Sequence, residues 1–493
     1  MAKFSSKLKN IVTYEGAEAE AKSLESEWVN ALCSSFLEGC FYERENERIW
    51  RYASLTRRMV LARGEEFVGR AAIFARNVLG MRSVSALTAA VLNESSWKGK
   101  RQFYRNFFRR PDDVAEVFGA LDKLGHERSH ALVRGAGDYL SSLSEYSLGK
   151  YKLSGREYNM YDLINITHAH SAAIGKYKND ALPVPETWET SISAATDEAD
   201  KAARWCALVE KRQLGYMALL RNLRNLIKYC GDKDYGWWYV NVCMRLVDKS
   251  AIRDSLVFPY RFYVAYKELN RADMSDAIYD VVKAALGEAF IYSIDNMPMF
   301  DGNTLIVLDV SGSMESPISS GSKVSIKEAG ACYAAMIAAS GGLCDFVKFG
   351  TSAKLFGDAD YDDNNNIFDQ IDAMAANDDC GWSTDLDTVW PLVQEWKYDR
   401  VFLISDMQVM KSEGWLGRRG PVPRMTFSEY CETCGQTPKV YSFDLGNYSN
   451  EPASLGDISY FTALSPEVLK FIEILESGKS VCDYIDSCEW MRW

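Results

Sequence analysis

Three oxygen-bearing side chains alternate directly after an apolar run, and their chemistry is that of a metal site. The run Thr304-Leu-Ile-Val-Leu is rich in β-branched residues, which predicts a buried parallel strand. Asp309, Ser311 and Ser313 then follow at alternate positions. One carboxylate and two hydroxyls are hard ligands of the kind that Mg²⁺, Mn²⁺ or Ca²⁺ prefer. Open α/β sheets bind ligands beyond the carboxyl ends of their strands, which is where these residues would lie.

Two residues further along the chain could complete this site. Thr384 lies in a loop ahead of an amphipathic stretch, and Asp406 ends a second apolar strand. The set predicts one divalent cation, Mg²⁺ before Mn²⁺ or Ca²⁺, with Thr384 and Asp406 joining the first three ligands. The alternative for the first three residues alone is a helix cap or a turn. A phosphatase of the Asp-x-Asp kind is disfavoured, because Ser311 stands where its second Asp would be.

The elements that must position these residues divide the chain at about residue 300. The first part predicts consecutive helices of roughly 12 to 20 residues, with apolar positions at helical spacing. So many paired helices without strands favour an α-solenoid of the HEAT type. After residue 300, strands alternate with helices, which predicts a doubly wound α/β domain. The predicted fold class is therefore all-α helical repeats followed by α/β.

Charge is distributed unevenly along the 493 residues. Residues 1–300 contain 42 Lys and Arg against 38 Asp and Glu, whereas residues 301–493 contain 14 against 30. Within the first part, residues 51–110 carry 13 basic and 3 acidic residues. Local positive fields of this kind attract a phosphate backbone.

The chain predicts a cytoplasmic protein. It begins with polar sequence instead of a secretory signal, and it has no apolar run of roughly 20 residues that would span a membrane. Its 12 cysteines are scattered, which predicts reduced thiols.

Two basic stretches are candidates for nucleic-acid contact. In residues 97–110, Arg101, Arg105 and Arg109 would lie on one face of a helix, with Lys98. In residues 215–228, an apolar stripe is flanked by basic residues that have no acid nearby in sequence, namely Arg221, Arg224 and Lys228. The alternative for both stretches is an ordinary solvated helix face.

Histidines and cysteines offer weaker signals. His126-Glu127-Arg-Ser-His130 matches the zinc-peptidase pattern H-E-x-x-H, but zinc would still need a third protein ligand. Cys431 and Cys434 lack a second such pair or a nearby His. His168 lies in a stretch with basic residues and could contact RNA, or it could be a core histidine with satisfied hydrogen bonds.

Three segments resemble the TROVE module of Ro autoantigens and telomerase-associated proteins: Ser34 to Tyr42, Asp162 to His168, and Ala218 to Leu223. The Asp-x-Ser-x-Ser, Thr, Asp order resembles the metal-ion-dependent adhesion site of von Willebrand factor A domains. Together they are similar to the Ro family. The resemblance divides the chain into an N-terminal arm (1–14), a TROVE domain (15–298), a von Willebrand A domain (299–475) and a C-terminal tail (476–493).

The resemblance implies a monomeric ring of helical repeats with a basic central hole. Such proteins bind Y-like non-coding RNA on the outer surface and single-stranded 3′ ends of misfolded RNA in the ring, in RNA quality control, and can act beside a 3′ exonuclease. It further implies that the sixth metal position takes a partner's carboxylate. His168 matches the family's RNA-contacting histidine. The two positions that are basic in the family fall near Tyr151 and Gly155 in this chain. The basic residues Lys150, Lys152 and Arg156 lie one residue away from these positions.

Three functions remain open from the sequence. The first is a non-catalytic RNA-binding protein of a small ribonucleoprotein. The second is an adaptor that grips an acidic protein through the metal, with the helical ring as scaffold. The third is an enzyme acting through Asp309 or Asp406, or through zinc, but no His follows residue 170 to serve as a general base.

Overall fold

The computed structural model describes residues 11–12, 18–19, 24–34, 45–151, 153, 155–182, 187–318, 321–357, 366–378, 380–406, 422–444, 458–461, 466–476 and 481–487. The chain forms two compact units. The first, called here the N-terminal unit, contains Lys22–Thr190 and Lys470–Trp493; the second, the sheet unit, contains Met1–Ala21 and Ser191–Leu469. The predicted boundary at residue 298 lies inside the sheet unit and stays a prediction.

The N-terminal unit is built from short helices in two layers. Alternate helices lie side by side, so that α3, α5, α7 and α9 form one layer and α2, α4 and α6 the other. This arrangement is typical of helical repeats, as predicted. The helices are α1 (Leu24–Ser34), α2 (Glu45–Arg63), α3 (Glu65–Asn77), α4 (Ser83–Asn93), α5 (Lys100–Phe107), α6 (Pro111–Leu124), α7 (His130–Ser141), α8 (Glu145–Lys150), α9 (Met160–Thr167), α10 (Ala172–Lys178) and, from the end of the chain, α25 (Val481–Ser487).

The C-terminal helix α25 packs on α3. Tyr484 meets the ring of Phe74 edge-on at 5.8 Å, and Asp486 accepts a hydrogen bond of 2.7 Å from Arg63. The tail predicted for residues 476–493 therefore contains a docked helix. Residues 488–493 lie outside the described part of the chain.

The sheet unit begins with a second group of helices. They are α12 (Glu198–Glu210), α13 (Tyr216–Arg221), α14 (Leu223–Cys230), α15 (Tyr235–Trp238), α16 (Met244–Leu246), α17 (Lys249–Ser255), α18 (Pro259–Lys267) and α19 (Asp276–Ser293); a π-helical turn, Tyr239–Cys243, joins α15 to α16. Helix α11 (Trp188–Ser193) spans the boundary between the units, as does α24 (Pro466–Glu476). Two residue pairs near the N-terminus, β1 (Ile11–Val12) and β2 (Glu18–Ala19), form a small antiparallel ladder that the sequence did not predict.

The remaining strands form one mixed sheet of order β5-β4-β3-β6-β7-β8. All neighbours are parallel except β4 and β5. Helices alternate with the strands, as a doubly wound fold requires, so the predicted fold class is confirmed. The strands are β3 (Asn303–Asp309), β4 (Leu343–Phe349), β5 (Ala353–Phe356), β6 (Arg400–Ser405), β7 (Lys439–Asp444) and β8 (Ile458–Phe461), and the helices are α20 (Ile326–Ala339), α21 (Ile367–Ala375), α22 (Trp390–Val393) and α23 (Phe427–Cys434).

Helices α18 and α19 pack directly on the α/β domain through polar contacts. Lys267 reaches Glu328 at 2.7 Å and Asp372 at 3.3 Å, and the Tyr263 hydroxyl donates to Asp372 at 2.7 Å. From α19, Lys283 pairs with Asp369 at 2.6 Å. These contacts explain why the last helices before β3 belong to the same compact unit as the sheet. No helix in the described ranges is long and apolar enough to cross a membrane.

Two predicted helices differ from the structure. The stretch 215–228 predicted one helix, but it is broken at Asn222, whose side chain donates to the Ala218 carbonyl at 2.8 Å. This bond competes with the helical ladder, as Asn side chains often do. The helix predicted over 97–110 is confined to Lys100–Phe107, because Pro111 starts the next helix and pushes the preceding residues into extended backbone.

Candidate metal centre and basic surfaces

The candidate metal centre lies where the strand order of the sheet reverses. Strand β3 pairs with β4 on one side and with β6 on the other, and later strands continue beyond β6. Asp309 ends β3 and Asp406 follows β6 directly, so both carboxylates leave the sheet at this switch point. Open α/β sheets bind ligands in the crevice that forms there. Both side chains are buried.

Hydrogen bonds fix Asp309 and the hydroxyls beside it. The Ser311 amide donates to one Asp309 oxygen at 2.9 Å, and the Ser405 hydroxyl donates to the other at 2.6 Å. The Ser311 and Ser313 hydroxyl oxygens lie 3.4 Å apart. Ser311 is buried, whereas Ser313 is exposed at the mouth of the site. The alternating motif therefore runs from the buried Asp309 and Ser311 to the exposed Ser313.

A brace from Asn377 holds the loop that carries Thr384 beside the motif. The Asn377 side-chain amide donates to the carbonyls of Val310 and Gly381, each at 2.9 Å, and its oxygen accepts from the Gly381 amide at 3.1 Å. Gly312 also donates its amide to the Trp382 carbonyl at 3.2 Å. Thr384 is buried, and its hydroxyl makes no hydrogen bond to the other four predicted ligands in the described structure.

The electrostatics of the pocket favour a cation. Burial and, next, the charge of the neighbouring Asp406 carboxylate raise the pKa of Asp309 to about 7, against the hydrogen bonds from Ser311 and Ser405 that lower it. Two buried carboxylates with hydroxyl oxygens form a hard donor set that fits Mg²⁺ or a similar cation. Among the described residues no three His, Cys, Asp or Glu side chains gather as a metal site, so hydroxyls would have to supply the other protein ligands.

Trp382 forms an exposed rim beside the pocket. Its indole is 69% exposed, although the ring lies so close to Gly312 that a Cβ there would stand 3.3 Å from it. A single exposed apolar side chain is common on protein surfaces, so Trp382 alone does not identify a contact surface.

The H-E-x-x-H stretch lacks the geometry of a zinc peptidase. That chemistry needs both histidines on one helix face, but His126 precedes α7 and His130 is its first residue. His126 instead lies 3.2 Å from Glu94 and 3.4 Å from an Arg57 nitrogen. Cys431 and Cys434 are both free thiols on α23.

The basic residues predicted on α5 are only partly available. Arg101 makes two hydrogen bonds, of 2.8 and 2.9 Å, to Asp138 of α7. Arg105 is exposed, and the described structure shows no ion pair for it. Arg109 is exposed too, but it lies beyond the end of the helix, so the predicted four-residue face is wrong.

The predicted RNA contacts around His168 each have their own neighbours in the described structure. His168 ends α9 in the left-handed conformation, with φ of 54°, and its side chain is exposed. Lys150 stands 5.7 Å from the rings of both Tyr146 and Tyr151. Arg156 pairs with Glu116 at 3.0 Å. Lys152 lies outside the described residues.

The second basic stretch keeps two arginines open to solvent. Arg221 ends α13 and Arg224 lies in the first turn of α14; both are exposed, and the described structure shows no ion pair for either. Lys228 differs from the prediction, because Glu198 of α12 lies 3.6 Å away and also accepts from Tyr229. The acid that was missing nearby in sequence comes from a neighbouring helix.

Three residues near the candidate sites were not predicted from the sequence. Ser405 and Asn377 hydrogen-bond to the segment that carries Asp309, and the charge of Arg134 on α7 acts on Asp138, the partner of Arg101. A strand-end Ser and a lone Asn carry no pattern that would identify them. The exposed position of Arg134 one helical turn before Asp138 could have been read from the spacing.

A disulfide also contradicts the predicted reduced thiols. Cys206 of α12 is bonded to Cys230 of α14, with Cα atoms 6.1 Å apart. Free thiols are Cys243, Cys332, Cys344, Cys380, Cys431, Cys434 and Cys482.

Comparisons with known proteins identify part of the chain. Residues 164–277 match the TROVE domain, which confirms the resemblance seen in the sequence. Telomerase protein component 1 is 33% identical over 92 residues in Rattus norvegicus and 32% over 89 residues in Mus musculus. These matches cover 19% and 18% of this chain, and the chain spans only about 3% of the length of these relatives.

The solved structure of the Ro (RSR) protein of Deinococcus radiodurans shares the fold. It aligns with a TM-score of 0.63 and covers 91% of this chain and 98% of its own, at 17% identity. The likeness therefore extends through both the helical repeats and the α/β domain.

Proposed function

We propose, from the premise that this chain contains a TROVE domain and folds like a Ro protein, that it is a non-catalytic RNA-binding protein of a small ribonucleoprotein. The observation that carries the proposal is the pair Arg221 and Arg224. Both are exposed inside the matched segment 164–277 and show no ion pair within the described residues. Guanidinium groups that are not already paired are the donors that phosphate oxygens need.

The finer parts of the proposal concern the RNA. We expect a Y-like non-coding RNA to contact basic residues on the outer surface and single-stranded 3′ ends of misfolded RNA to be the second ligand. A 3′ exonuclease is a candidate partner in RNA quality control. The protein would act as a monomer in the cytoplasm.

The expected mechanism of binding is electrostatic with a preference for unpaired RNA. Lys and Arg neutralise phosphates and release counterions, so affinity falls steeply as salt rises. His168 could stack on an unpaired base or donate to phosphate, because its side chain is exposed at the end of α9. Selectivity would then come from single-strandedness and shape more than from sequence.

The metal centre is a separate part of the proposal. Asp309, Ser311, Ser313, Thr384 and Asp406 would hold a divalent cation, most readily Mg²⁺. A bound cation would supply positive charge for an acidic side chain of another protein. Trp382 beside the pocket would offer such a protein an apolar contact.

A second candidate function follows from this pocket. The chain could be an adaptor that captures proteins through the metal, with its helices as scaffold. Two buried carboxylates at the switch point and an exposed Trp382 favour it. It predicts metal-dependent protein capture and no saturable binding of RNA.

Charge reversal on the exposed arginines tests the RNA proposal. Arg221→Glu and His168→Ser should each weaken RNA binding at fixed salt, measured by fluorescence anisotropy with the full chain. Arg271→Glu is the matched control, since Arg271 is also exposed but already pairs with Asp276 at 2.9 Å and Asp280 at 3.0 Å. Unchanged affinity in both test variants would remove the proposed contact surface.

A further inference from the structure

Helices α5 and α7 approach each other unusually closely at Gly135. A Cβ on Gly135 would lie 2.6 Å from the Arg101 carbonyl oxygen, 2.8 Å from the Tyr104 Cβ and 3.4 Å from the Arg105 amide nitrogen. Only glycine tolerates such an approach to backbone atoms. The crossing therefore brings Arg134, the residue before Gly135, next to the turn of α5 that carries Arg101 and Arg105.

One carboxylate, Asp138, serves three guanidinium groups at this crossing. It accepts both of its hydrogen bonds from Arg101, at 2.8 and 2.9 Å. The hydrogen bond from Arg101 lowers the pKa of Asp138 most, and the charges of Arg105 and Arg134 lower it as well. All three arginines are exposed, and the described structure shows no ion pair for Arg105 or Arg134. The cluster keeps a surplus of two positive charges.

We propose that Arg101, Arg105 and Arg134, called here the arginine cluster, form a binding site for a phosphodiester of single-stranded RNA. Arg105 and Arg134 supply the donors, and their planar guanidinium groups match the oxygen spacing of a phosphate. Asp138 holds Arg101 in place and competes with the incoming phosphate for it. The inference deepens the RNA-binding function proposed above and rests on it.

The arrangement distinguishes this site from a solvated helix face. On an ordinary face, neighbouring arginines come from one helix, three or four residues apart. Here two helices contribute to one small area, fixed by a backbone contact at Gly135 and by a two-fold hydrogen bond to Asp138. Substituting Asp138 with asparagine removes the local negative charge and leaves the backbone contact at Gly135 in place, which allows a gain of affinity to be tested.

The experiment measures binding of the full chain to a fluorescein-labelled oligouridylate of roughly 12 nucleotides, across a series of salt concentrations. Arg134→Gln and Arg105→Gln should each lower the affinity several-fold and reduce the salt slope by about 0.7, the value for one lost phosphate contact on a single strand. Asp138→Asn should raise the affinity several-fold. A gain of this kind cannot come from misfolding.

Arg58→Gln is the matched control. Arg58 is an exposed arginine on α2, in the other helix layer, for which the described structure also shows no ion pair. It should leave the salt slope unchanged. Thermal unfolding of every variant checks that the fold is kept.

The outcomes separate this site from the function on which it rests. If the wild-type chain binds the oligouridylate but neither arginine variant changes the salt dependence of its affinity, the arginine cluster is not the RNA site. The RNA-binding proposal would still stand. A loss of affinity in Asp138→Asn would also refute it. No binding by the wild type would overturn both proposals. A labelled oligoglutamate that binds more tightly than the RNA, and is released by Arg134→Gln, would show that the cluster serves an acidic protein.

Discussion

Replacing Asn377 with alanine should weaken divalent-cation binding, although Asn377 is not a predicted ligand. Its carboxamide joins two segments of the candidate metal centre. It contacts the Val310 carbonyl, between Asp309 and Ser311, and both backbone polar groups of Gly381, ahead of Thr384. Alanine would remove all three hydrogen bonds and loosen the two segments, which would stay joined by the bond from the Gly312 amide to the Trp382 carbonyl.

The size of the effect can be worked from these contacts. Three hydrogen bonds at about 1 kcal/mol each would lower the free energy of unfolding by about 2 to 3 kcal/mol, since the freed carbonyls can regain only part of their solvation. Supporting residues around a metal site typically contribute about 10- to 100-fold in metal affinity. We therefore expect Mn²⁺ or Mg²⁺ affinity to fall by roughly that factor.

Isothermal titration calorimetry with Mn²⁺ measures the affinity, and thermal unfolding in EDTA measures the stability. Asn303→Ala is the matched control, because Asn303 begins β3 at the opposite end of the strand and donates one hydrogen bond of 3.1 Å to the Lys397 carbonyl. The control should lose some stability and keep its metal affinity. If Asn377→Ala lost stability but bound Mn²⁺ as tightly as the wild type, the brace would not position the site.

Two further predictions concern stability. Burial, reinforced by the Asp406 carboxylate, raises the pKa of Asp309 from 3.8 to about 7. Between these two pH values, the folded metal-free chain binds more protons than the unfolded chain. Its free energy of unfolding should therefore fall by up to roughly 4 kcal/mol as the pH rises through that window. Thermal unfolding in EDTA at several pH values should show this decline, which Mg²⁺ or Asp309→Asn should flatten; a pH-independent midpoint in EDTA would contradict it. Reducing the Cys206–Cys230 disulfide, which closes a loop of sequence separation 24, should lower the free energy of unfolding by about 3 kcal/mol on the chain-entropy model. Calorimetry measures the free energy of unfolding with and without dithiothreitol. The control is Cys206→Ser, which cannot form the disulfide and whose free energy of unfolding should not change when dithiothreitol is added.

The sequence could predict that Asp309 and Asp406 lie at neighbouring strand ends because the signals are local, whereas the bound cation stays a prediction. Asp309, Ser311 and Ser313 follow one strand at alternate positions, and an apolar run before Asp406 marks a second strand end. Parallel strands place their carboxyl ends at one edge, so the two carboxylates had to meet if the strands were neighbours. The structure places β3 beside β6 and meets that condition.

The supporting residues could not be predicted because their partners are distant in the chain. Asn377 acts on Val310, 67 residues away, and Ser405 acts on Asp309, 96 residues away. No local period or motif records such a pairing. Tertiary contact alone decides that these common polar residues brace the pocket.

The basic surfaces show even more clearly that the sequence does not reveal partners that are distant in the chain. Arg101 was a candidate contact for nucleic acid in the sequence, but the crossing of α5 and α7 brings Asp138 to it. Lys228 acquires Glu198 from α12 in the same way. Helical spacing predicted which residues would be exposed, whereas the neighbouring helix decided which of their charges are already neutralised.

The central claim is that this chain binds unpaired RNA ends, and one salt-titrated assay tests it most directly. The probes are an RNA duplex with a single-stranded 3′ tail and the same duplex with blunt ends. The chain should bind the tailed probe more tightly than the blunt one, with an affinity that falls several-fold as salt rises. Absence of saturable binding to either probe would contradict it and would favour an adaptor that captures proteins through its metal.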